Sequence, residues 1–320
     1  MKKVVVGLLA LTSCFWAFGC RAVPEGEVTV YMPDGAPALA LARCLSEDTD
    51  GDGVSYSVVD TSKEMKALLS HLTNKDDEKN ADFCVLPVTA GAKLLGSGEK
   101  YQALGIVTQG NLYLVADSPE KTYTDDVSAL VGKTVQVAKM NEVPGLTLKA
   151  VLDRKGVAWQ VLDGVERADG KVNLTTATLD PDVELLAEPA VSKRVASGKG
   201  FVVGDLQKMY GDEGGYPQAI LVGKSSFLEA YPDFTEEFLA KVKDGATWLE
   251  TATAETLFTA ITSHYDDGHT PAFGVENLGA ETVARCGIRF DGGESAKARI
   301  ETYLTEVGFA LPSTAFYWGA

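Results

Sequence analysis

Short apolar runs alternate with helix patterns along most of this chain. Residues 28–31 (VTVY) precede an Ala- and Leu-rich helix pattern over 36–45, and residues 83–86 (FCVL) precede a short helix pattern that Thr89 can cap. A strand that is apolar throughout has both faces buried, which is typical of a parallel sheet covered by helices. The alternation therefore predicts an α/β fold.

The middle of the chain repeats this plan, and the end departs from it. Predicted strands continue as far as residues 218–222, whereas only helices are predicted from Ser225 onward. A chain that builds two α/β units and ends in helices can return those helices to the first unit. We therefore predict two lobes joined by two chain crossings, near 111–116 and 222–226. Lobe 1 would hold residues 27–112 and 224–320, and lobe 2 would hold residues 113–223.

The beginning of the chain predicts export from the cytoplasm. Lys2 and Lys3 precede an uncharged run over 4–19 that ends at Cys20. This run is shorter than the about 20 residues of a membrane span, and its basic start is typical of a signal peptide. The junction before Cys20 resembles that of bacterial lipoproteins, which implies a lipid on this cysteine; an ordinary secretory signal and a short uncleaved anchor are the alternatives. We predict a signal peptide over 1–19, a lipidated tether over 20–26, and an extracytoplasmic protein held at the outer face of the cell membrane or in the periplasm.

The chain is strongly acidic. It has 29 Lys and Arg against 45 Asp and Glu, a formal net charge of −16. A protein that binds a phosphate backbone needs a basic face, so we predict no nucleic-acid partner. The same charge gives little attraction to anionic lipid, so only the lipid chain would hold the protein at a membrane.

The exported chain would keep Cys44, Cys84 and Cys286 besides the acylated cysteine. Three thiols allow at most one disulfide. Cys44 and Cys84 lie in apolar patterns, where a free cysteine behaves as a small core residue. The sequence favours buried free thiols and leaves a disulfide between two of the three open.

No metal, cofactor or catalytic set is predicted. The chain contains no CxxC, GxSxG, HExxH or P-loop motif, and its three histidines do not lie at a zinc-site spacing from the cysteines. Residues 48–53 copy the first half of a calcium loop, but Val59 stands where that loop needs a bidentate glutamate. We therefore do not expect an enzyme.

Four turns share one design, in which a strand ends and small or flexible residues expose the backbone amides that open a helix. They cover residues 34–37, 87–91, 143–146 and 188–190. Such amides carry partial positive charge and can hold an anionic or carbonyl-bearing ligand, although each turn alone also fits ordinary helix-start chemistry. Ligands of open α/β sheets bind outside the carboxyl ends of the strands. Four such turns, two in each lobe, predict one shared cleft.

Six segments carry the motifs of one known family. They are EVTVYMPDGAPALALA (27–42), ADFCVLPVTAGAKLL (81–95), YQALGIVTQGNLYLVA (101–116), LVGKTVQVAKMNEVPGLTLKAVLDRKGV (130–157), VELLAEPAVSKRV (183–195) and GGYPQAILVGKSSFLEAYPDF (214–234). In this order they resemble the extracytoplasmic solute-binding proteins of ABC importers, in particular the nitrate, sulfonate and thiamine-precursor (pyrimidine) binders. The resemblance extends over roughly residues 27–310.

The resemblance implies a fold and a role. The fold is the type II periplasmic-binding-protein fold, in which each lobe is a mixed, mostly parallel sheet flanked by helices. The role is to close on a small solute as a monomer and to present it to an ABC permease and its ATPase subunit. A surface ligand sensor with the same fold is the alternative. The pyrimidine synthases of this fold are a further one, but they depend on a cysteine-rich run that this chain lacks.

The family's binding turns can be carried over residue by residue. The predicted ligand-binding residues are Gly35, Ala36, Pro37, Val88, Thr89, Ala90, Gly110, Asn111, Tyr113, Asn141, Glu142, Pro144 and Glu188. Some of them have a purely structural explanation as well, since Gly35 suits a turn with positive φ and Glu188 can compensate a helix dipole.

The charges near these turns indicate the kind of solute. None of the turns contains Arg, and Asp34, Glu142 and Glu188 lie in or beside them. A bare anion is bound best by a guanidinium or by several free amides. The sequence therefore disfavours nitrate and sulfonate and predicts a neutral or amine-bearing heterocycle.

Overall fold

A computed structural model describes residues 23–48, 53–61, 65–121, 123, 125–177, 180–211 and 214–320 of the chain. The strands are β1 Val28–Pro33, β2 Val54–Val59, β3 Phe83–Pro87, β4 Tyr101–Thr108, β5 Leu112–Ala116, β6 Thr134–Val137, β7 Trp159–Val161, β8 Val172–Thr175, β9 Val183–Ala187, β10 Phe201–Asp205, β11 Ala219–Lys224 and β12 Ile288–Gly292. The α-helices are α1 Ala36–Ala40, α2 Ala42–Ser46, α3 Lys66–Leu69, α4 Val88–Leu95, α5 Val143–Arg154, α6 Ala190–Ala196, α7 Leu206–Tyr210, α8 Ser225–Ala230, α9 Pro232–Leu249, α10 Ala254–Thr262, α11 Ala280–Arg285 and α12 Gly293–Glu306. The predicted signal peptide, Cys20 and residues 49–52 of the calcium-like segment lie outside the described residues.

The strands form two six-stranded sheets, with the order β12-β4-β11-β3-β1-β2 in the first and β10-β5-β9-β6-β8-β7 in the second. In the first sheet β1 pairs in parallel with β2 and β3, whereas β11 pairs antiparallel with β3 and β4. In the second, β6 pairs in parallel with β8 and β9, and β5 pairs antiparallel with β9 and β10. Each sheet is thus mixed. We call each sheet with the helices packed on it a lobe.

The carboxyl edges of the two sheets face each other, because the chain passes directly from one edge to the other. The first crossing leads from the end of β4 at Thr108 to the start of β5 at Leu112, and the second leads from the end of β10 at Asp205 to the start of β11 at Ala219. The prediction of a second crossing near 222–226 is wrong. Residues 219–224 pair with both β3 and β4 and therefore lie inside the first sheet rather than after the second.

The prediction that strands end before Ser225 is also wrong, since β12 pairs antiparallel with β4 at the edge of the first sheet. Its sequence, IRFDG, mixes charge and glycine with two apolar residues, and an edge strand of this kind has no apolar period that sequence alone can detect. Packing holds this strand in place. A Cβ added to Gly105 of β4 would lie 2.7 Å from the Phe290 ring of β12, so the ring packs directly on the backbone of Gly105.

Helices returning from the end of the chain join the lobes. Tyr303 of α12 is fully buried; its hydroxyl lies 2.8 Å from the Thr147 hydroxyl of α5, and its ring stacks on Tyr216 of the second crossing. Arg154 of α5 forms an ion pair with Glu306 of α12. The apolar core is therefore continuous from one lobe to the other on this side of the crossings.

The cysteines and the helices bear on two sequence predictions. Cys44, Cys84 and Cys286 are buried and unpaired, as the sequence favours, and burial raises the pKa of Cys44 to about 12.

Within the part of the chain that the structure describes, no helix combines the length and the hydropathy of a membrane span.

Gly110 in the first crossing requires glycine for two reasons. Its φ is +90°, and a Cβ there would lie 2.9 Å from the Tyr216 ring and 2.9 Å from Cγ of Gln207. We expect Gly110→Ala to lower the free energy of unfolding by about 1–2 kcal/mol for the backbone and by a further about 1–3 kcal/mol for the overlap. Urea denaturation measures the difference.

Gly156 supplies a matched control. It has φ +66°, but a Cβ there would meet nothing within 4 Å, so Gly156→Ala should show the backbone cost alone. Equal losses in the two variants would contradict the role of close packing at the crossing.

Candidate functional site

Two of the four predicted turns, which we call corners from here on, meet across the gap between the lobes. A Cβ added to Gly35, which precedes α1, would lie 3.9 Å from Cδ of Pro189, which precedes α6. Ala36 and Pro37 form the first turn of α1 immediately behind this contact. The backbone N–H of Glu188 donates to the carbonyl of Asn111 at 3.3 Å, so the same corner of lobe 2 also touches the first crossing.

The corner between β3 and α4 adjoins both crossings. The N–H of Val88 donates to the Gln218 carbonyl at 3.0 Å, and the N–H of Gln218 donates to the Thr108 carbonyl at 3.0 Å. Thr89 and Ala90 follow in the first turn of α4. Thr89 does not cap this helix as predicted, because the helix already starts at Val88.

Buried polar atoms without a hydrogen-bond partner concentrate at the crossings. Most of those found among the described residues belong to two short segments, 108–111 and 216–218. They are Thr108 Oγ1, Gln109 Oε1, Asn111 Oδ1, Tyr216 OH and Gln218 Oε1. Buried polar groups in proteins are nearly always paired, and each unpaired one costs stability. A cluster of them at the meeting edge of two sheets is therefore the arrangement expected of a site that a ligand completes.

Acceptors predominate among these atoms. The carboxamide oxygens of Gln109, Asn111 and Gln218 can only accept, and the hydroxyls of Thr108 and Tyr216 can accept or donate. Burial raises the pKa of Tyr216 well above its usual value, so this hydroxyl stays neutral. The crossing segments contribute no cation to the cluster. A partner that donates N–H or O–H groups would satisfy the cluster.

Glu188 forms a buried ion pair between the lobes. Its Oε1 accepts from Arg285 Nε of α11 at 2.5 Å and from Ser192 Oγ at 2.9 Å, and its Oε2 accepts from Ser192 N–H at 3.1 Å. The carboxylate is wholly inaccessible to solvent, and the Arg285 side chain is 11% exposed. Burial is the largest single influence and alone would lower the pKa of Arg285, but the hydrogen bond and the charge of Glu188, together with the charge of Glu281, outweigh it, and the net pKa is raised. In this conformation Glu188 accepts hydrogen bonds from Arg285 of lobe 1 and from Ser192 of its own lobe.

Three other predicted residues, Asn141, Glu142 and Pro144, lie at the start of α5. Asn141 and Glu142 are exposed, and Glu142 lies 3.3 Å from the Lys139 ammonium. Pro144 occupies the first turn of α5, an ordinary position for proline. Tyr113 is buried, and its hydroxyl donates to the Arg285 carbonyl at 3.2 Å, so it joins the lobes.

Asp34 is held inside lobe 1. Its carboxylate accepts from the Tyr265 hydroxyl at 2.7 Å, from the Ala272 N–H at 2.8 Å and lies 3.1 Å from Nε2 of His269. This acidic residue of the predicted cleft is thus already partnered. No group of three or more His, Cys, Asp and Glu among the described residues could hold a metal ion.

Sequence reasoning missed Thr108, Gln109, Tyr216, Gln218 and Arg285. The first four flank buried strands at the points where the chain changes lobes, and polar residues at such points were the available signal. Arg285 carried no signal, because it lies 97 residues from Glu188.

Comparison with solved structures identifies the fold. A protein solved as an ABC transporter from Parabacteroides distasonis aligns with a TM-score of 0.61 and 18% identity over 92% of this chain and 99% of its own. The periplasmic aliphatic sulphonate binding protein of Escherichia coli aligns with a TM-score of 0.63 and 11% identity over 92% of both chains. A Candida albicans protein described as exhibiting the generic periplasmic binding protein fold aligns with a TM-score of 0.52 and 14% identity over 92% of this chain and 94% of its own.

These identities are low, and they speak to the fold alone. No family model matches the sequence, and neither does any curated protein. The chain has the periplasmic-binding-protein fold, with two α/β lobes joined by two crossings. The predicted fold class is thereby confirmed.

Proposed function

We propose that this protein is the extracytoplasmic substrate-binding component of an ABC importer. It captures a small solute between its lobes and delivers it to a permease that works with an ATPase subunit. The observation that carries the proposal is the cluster of unpaired buried acceptors at the two crossings of a periplasmic-binding-protein fold. Solved proteins of the same fold include components of ABC-type import systems, which supports the transport role.

The proposed anchoring and monomeric state rest on the resemblances of the sequence to bacterial lipoproteins and to solute-binding proteins. A lipid on Cys20 would hold a monomer at the outer face of the membrane or in the periplasm, since the acidic chain has no attraction of its own for anionic lipid. The tether over 20–26 leads to β1, whose amino end lies opposite the carboxyl edge that forms the cleft. This placement leaves the cleft free to face the permease.

The solute is a neutral or amine-bearing molecule, and a heterocycle fits best. Asn111 and Gln218 offer acceptors, which a ring N–H or an amino group would satisfy. Arg285 is the cation that reaches the Glu188 corner, and the carboxylate of Glu188 neutralises it. The site thus offers an anionic solute no free guanidinium at this corner.

Native mass spectrometry of gently purified protein should reveal a co-purified molecule with N–H groups. A thermal-shift screen of thiamine precursors, riboflavin, aromatic amines and alkylsulfonates then ranks the classes. At 100 times its Kd, a ligand should stabilise the protein by about 2.7 kcal/mol, which a melting curve resolves easily. We expect shifts from N–H-bearing heterocycles and none from alkylsulfonates; shifts from alkylsulfonates alone would overturn the proposed solute class.

A further inference from the structure

The interlobe site continues into a cavity beside helix α11. This cavity has a volume of about 830 Å³, and it is lined by Gln109 and Gly110 of the first crossing and by Gly214 of the second. Tyr113 of β5 and Gln207 of α7 line it as well. Gln109 is also a member of the cluster of unpaired polar atoms at the crossings. The cluster and the cavity are therefore two parts of one site.

The walls that lobe 1 contributes to the cavity are small and apolar. They include Leu249, Leu278, Val283 and Ile288, and most of the other lobe 1 residues in the lining are alanine or glycine. Leu249 and Leu278 are buried and belong to the core of lobe 1. Such walls offer a ligand apolar contact and no hydrogen bond, and removing apolar surface from water is favourable. This part of the site therefore suits an apolar group.

Gln109 lies where the two parts of the site meet. Its backbone N–H donates to the Gly287 carbonyl at 2.8 Å, and its Nε2 donates to the Arg289 carbonyl at 3.0 Å. Both contacts fix the residue against the segment that leads into β12. Because Nε2 is the donor in the second contact, Oε1 is the atom that remains buried and unpaired. A ligand would thus have its hydrogen-bond donor next to its apolar part.

The charged residues at the cavity do not select a charged ligand. Among the described residues of the lining, the one acid is Glu250 and the one base is Arg289, and both are exposed. Exposed charges contribute little to an ion pair, and these two are of opposite sign. A neutral apolar group is therefore compatible with the cavity.

The cavity is larger than a single ring requires. A cavity of roughly 150 Å³ already holds benzene. A one-ring solute confined to the crossings would leave most of the 830 Å³ to water. Ligand sites in proteins usually enclose most of the surface of the ligand. A solute that matches this site therefore extends beyond its hydrogen-bonding ring.

We propose that the solute is amphipathic, with a hydrogen-bonding ring at the crossings and an apolar body that extends into the cavity beside α11. This inference rests on the function proposed above, because it assigns the rest of the same solute. Each methylene of the apolar body should tighten the Kd about fourfold, which corresponds to about 0.8 kcal/mol of apolar burial.

Benzimidazoles with an unbranched alkyl chain on the benzene ring are suitable probes, because the ring supplies an N–H and the chain points away from it. Calorimetric titration of the intact protein gives the Kd for the unsubstituted, methyl, propyl and pentyl compounds, and we expect the fourfold gain per methylene. Val283→Trp should fill the cavity, so that chain length no longer matters while benzimidazole itself binds as before. Val195→Trp, at a 39% exposed position of α6 outside the lining, is the matched control and should retain the gain.

Ala246→Leu narrows the cavity from α9 and should reduce the gain per methylene, which gives a second test where Val283→Trp does not fold. A Kd that is independent of chain length in the parent protein, or an unchanged gain in the folded variants, would overturn the inference and leave the importer role standing. A co-purified solute without an apolar part would do the same. If benzimidazole itself does not bind, the proposed solute class is wrong, and this inference is wrong with it.

Discussion

Replacing Glu188 with glutamine is expected to destabilise the closed arrangement of the lobes by about 3–5 kcal/mol. The substitution keeps the shape of the side chain but leaves the guanidinium of Arg285 largely buried and without its countercharge. Because Glu188 and Arg285 belong to different lobes, the guanidinium can regain water when the lobes separate. We therefore expect a lower melting temperature together with a larger radius of gyration in small-angle X-ray scattering.

Glu281 provides the matched control on the same guanidinium. Its carboxylate lies 2.5 Å from Nη1 of Arg285, but its side chain is 85% exposed. An exposed ion pair contributes only about 0–1 kcal/mol, so Glu281→Gln should change little. Adding Arg285→Met to Glu188→Gln should recover part of the lost stability, because it removes the buried positive charge that has no countercharge. Similar losses for Glu188→Gln and Glu281→Gln would contradict the buried ion pair as the contact that joins the lobes.

Replacing Thr108 with valine is expected to have opposite effects on stability and on solute binding. Valine has the same shape, and the Thr108 hydroxyl is buried with no partner. Removing an unsatisfied buried group should stabilise the solute-free protein by about 1–3 kcal/mol, and loss of the hydroxyl should weaken solute affinity about tenfold. Urea denaturation and calorimetric titration with the co-purified solute measure the two effects.

Thr235 shows what the same substitution does to a satisfied hydroxyl. It is fully buried in α9, and its Oγ1 donates to the Tyr231 carbonyl at 3.0 Å. Thr235→Val should destabilise the protein by about 1 kcal/mol and leave solute affinity unchanged. If Thr108→Val destabilises as Thr235→Val does, the hydroxyl of Thr108 is not reserved for a ligand.

The sequence predicted well those strands that are buried on both faces of their sheet. Central strands such as β3, which is apolar over 83–86, lie between two helical layers and therefore show a continuous apolar run. The edge strand β12 contacts the sheet on one side only, and its mixed sequence gave no such signal. The error at the second crossing has a related cause: β11 pairs in the first sheet although it follows β10 of the second, and strand order is a tertiary property.

The sequence predicted part of the candidate site. Helix-start chemistry pointed to Gly35 and Val88, and both lie at the edge where the lobes meet. The pairing state of a side chain depends on distant neighbours, so the sequence could not show that Glu188 is occupied by Arg285. Nor could it show that Gln218 retains a free acceptor. Glu188, predicted to bind the solute, contacts Arg285 of the other lobe in this structure, and Gln218, which was not predicted, has an unpaired buried oxygen at the crossings.

The most direct measurement is a crystal structure of the protein purified with its solute. We predict electron density for a small molecule at the crossings, with N–H groups in hydrogen-bonding distance of Asn111 Oδ1 and Gln218 Oε1. Density for the solute elsewhere, with those two oxygens paired to protein groups or to water, would contradict the account.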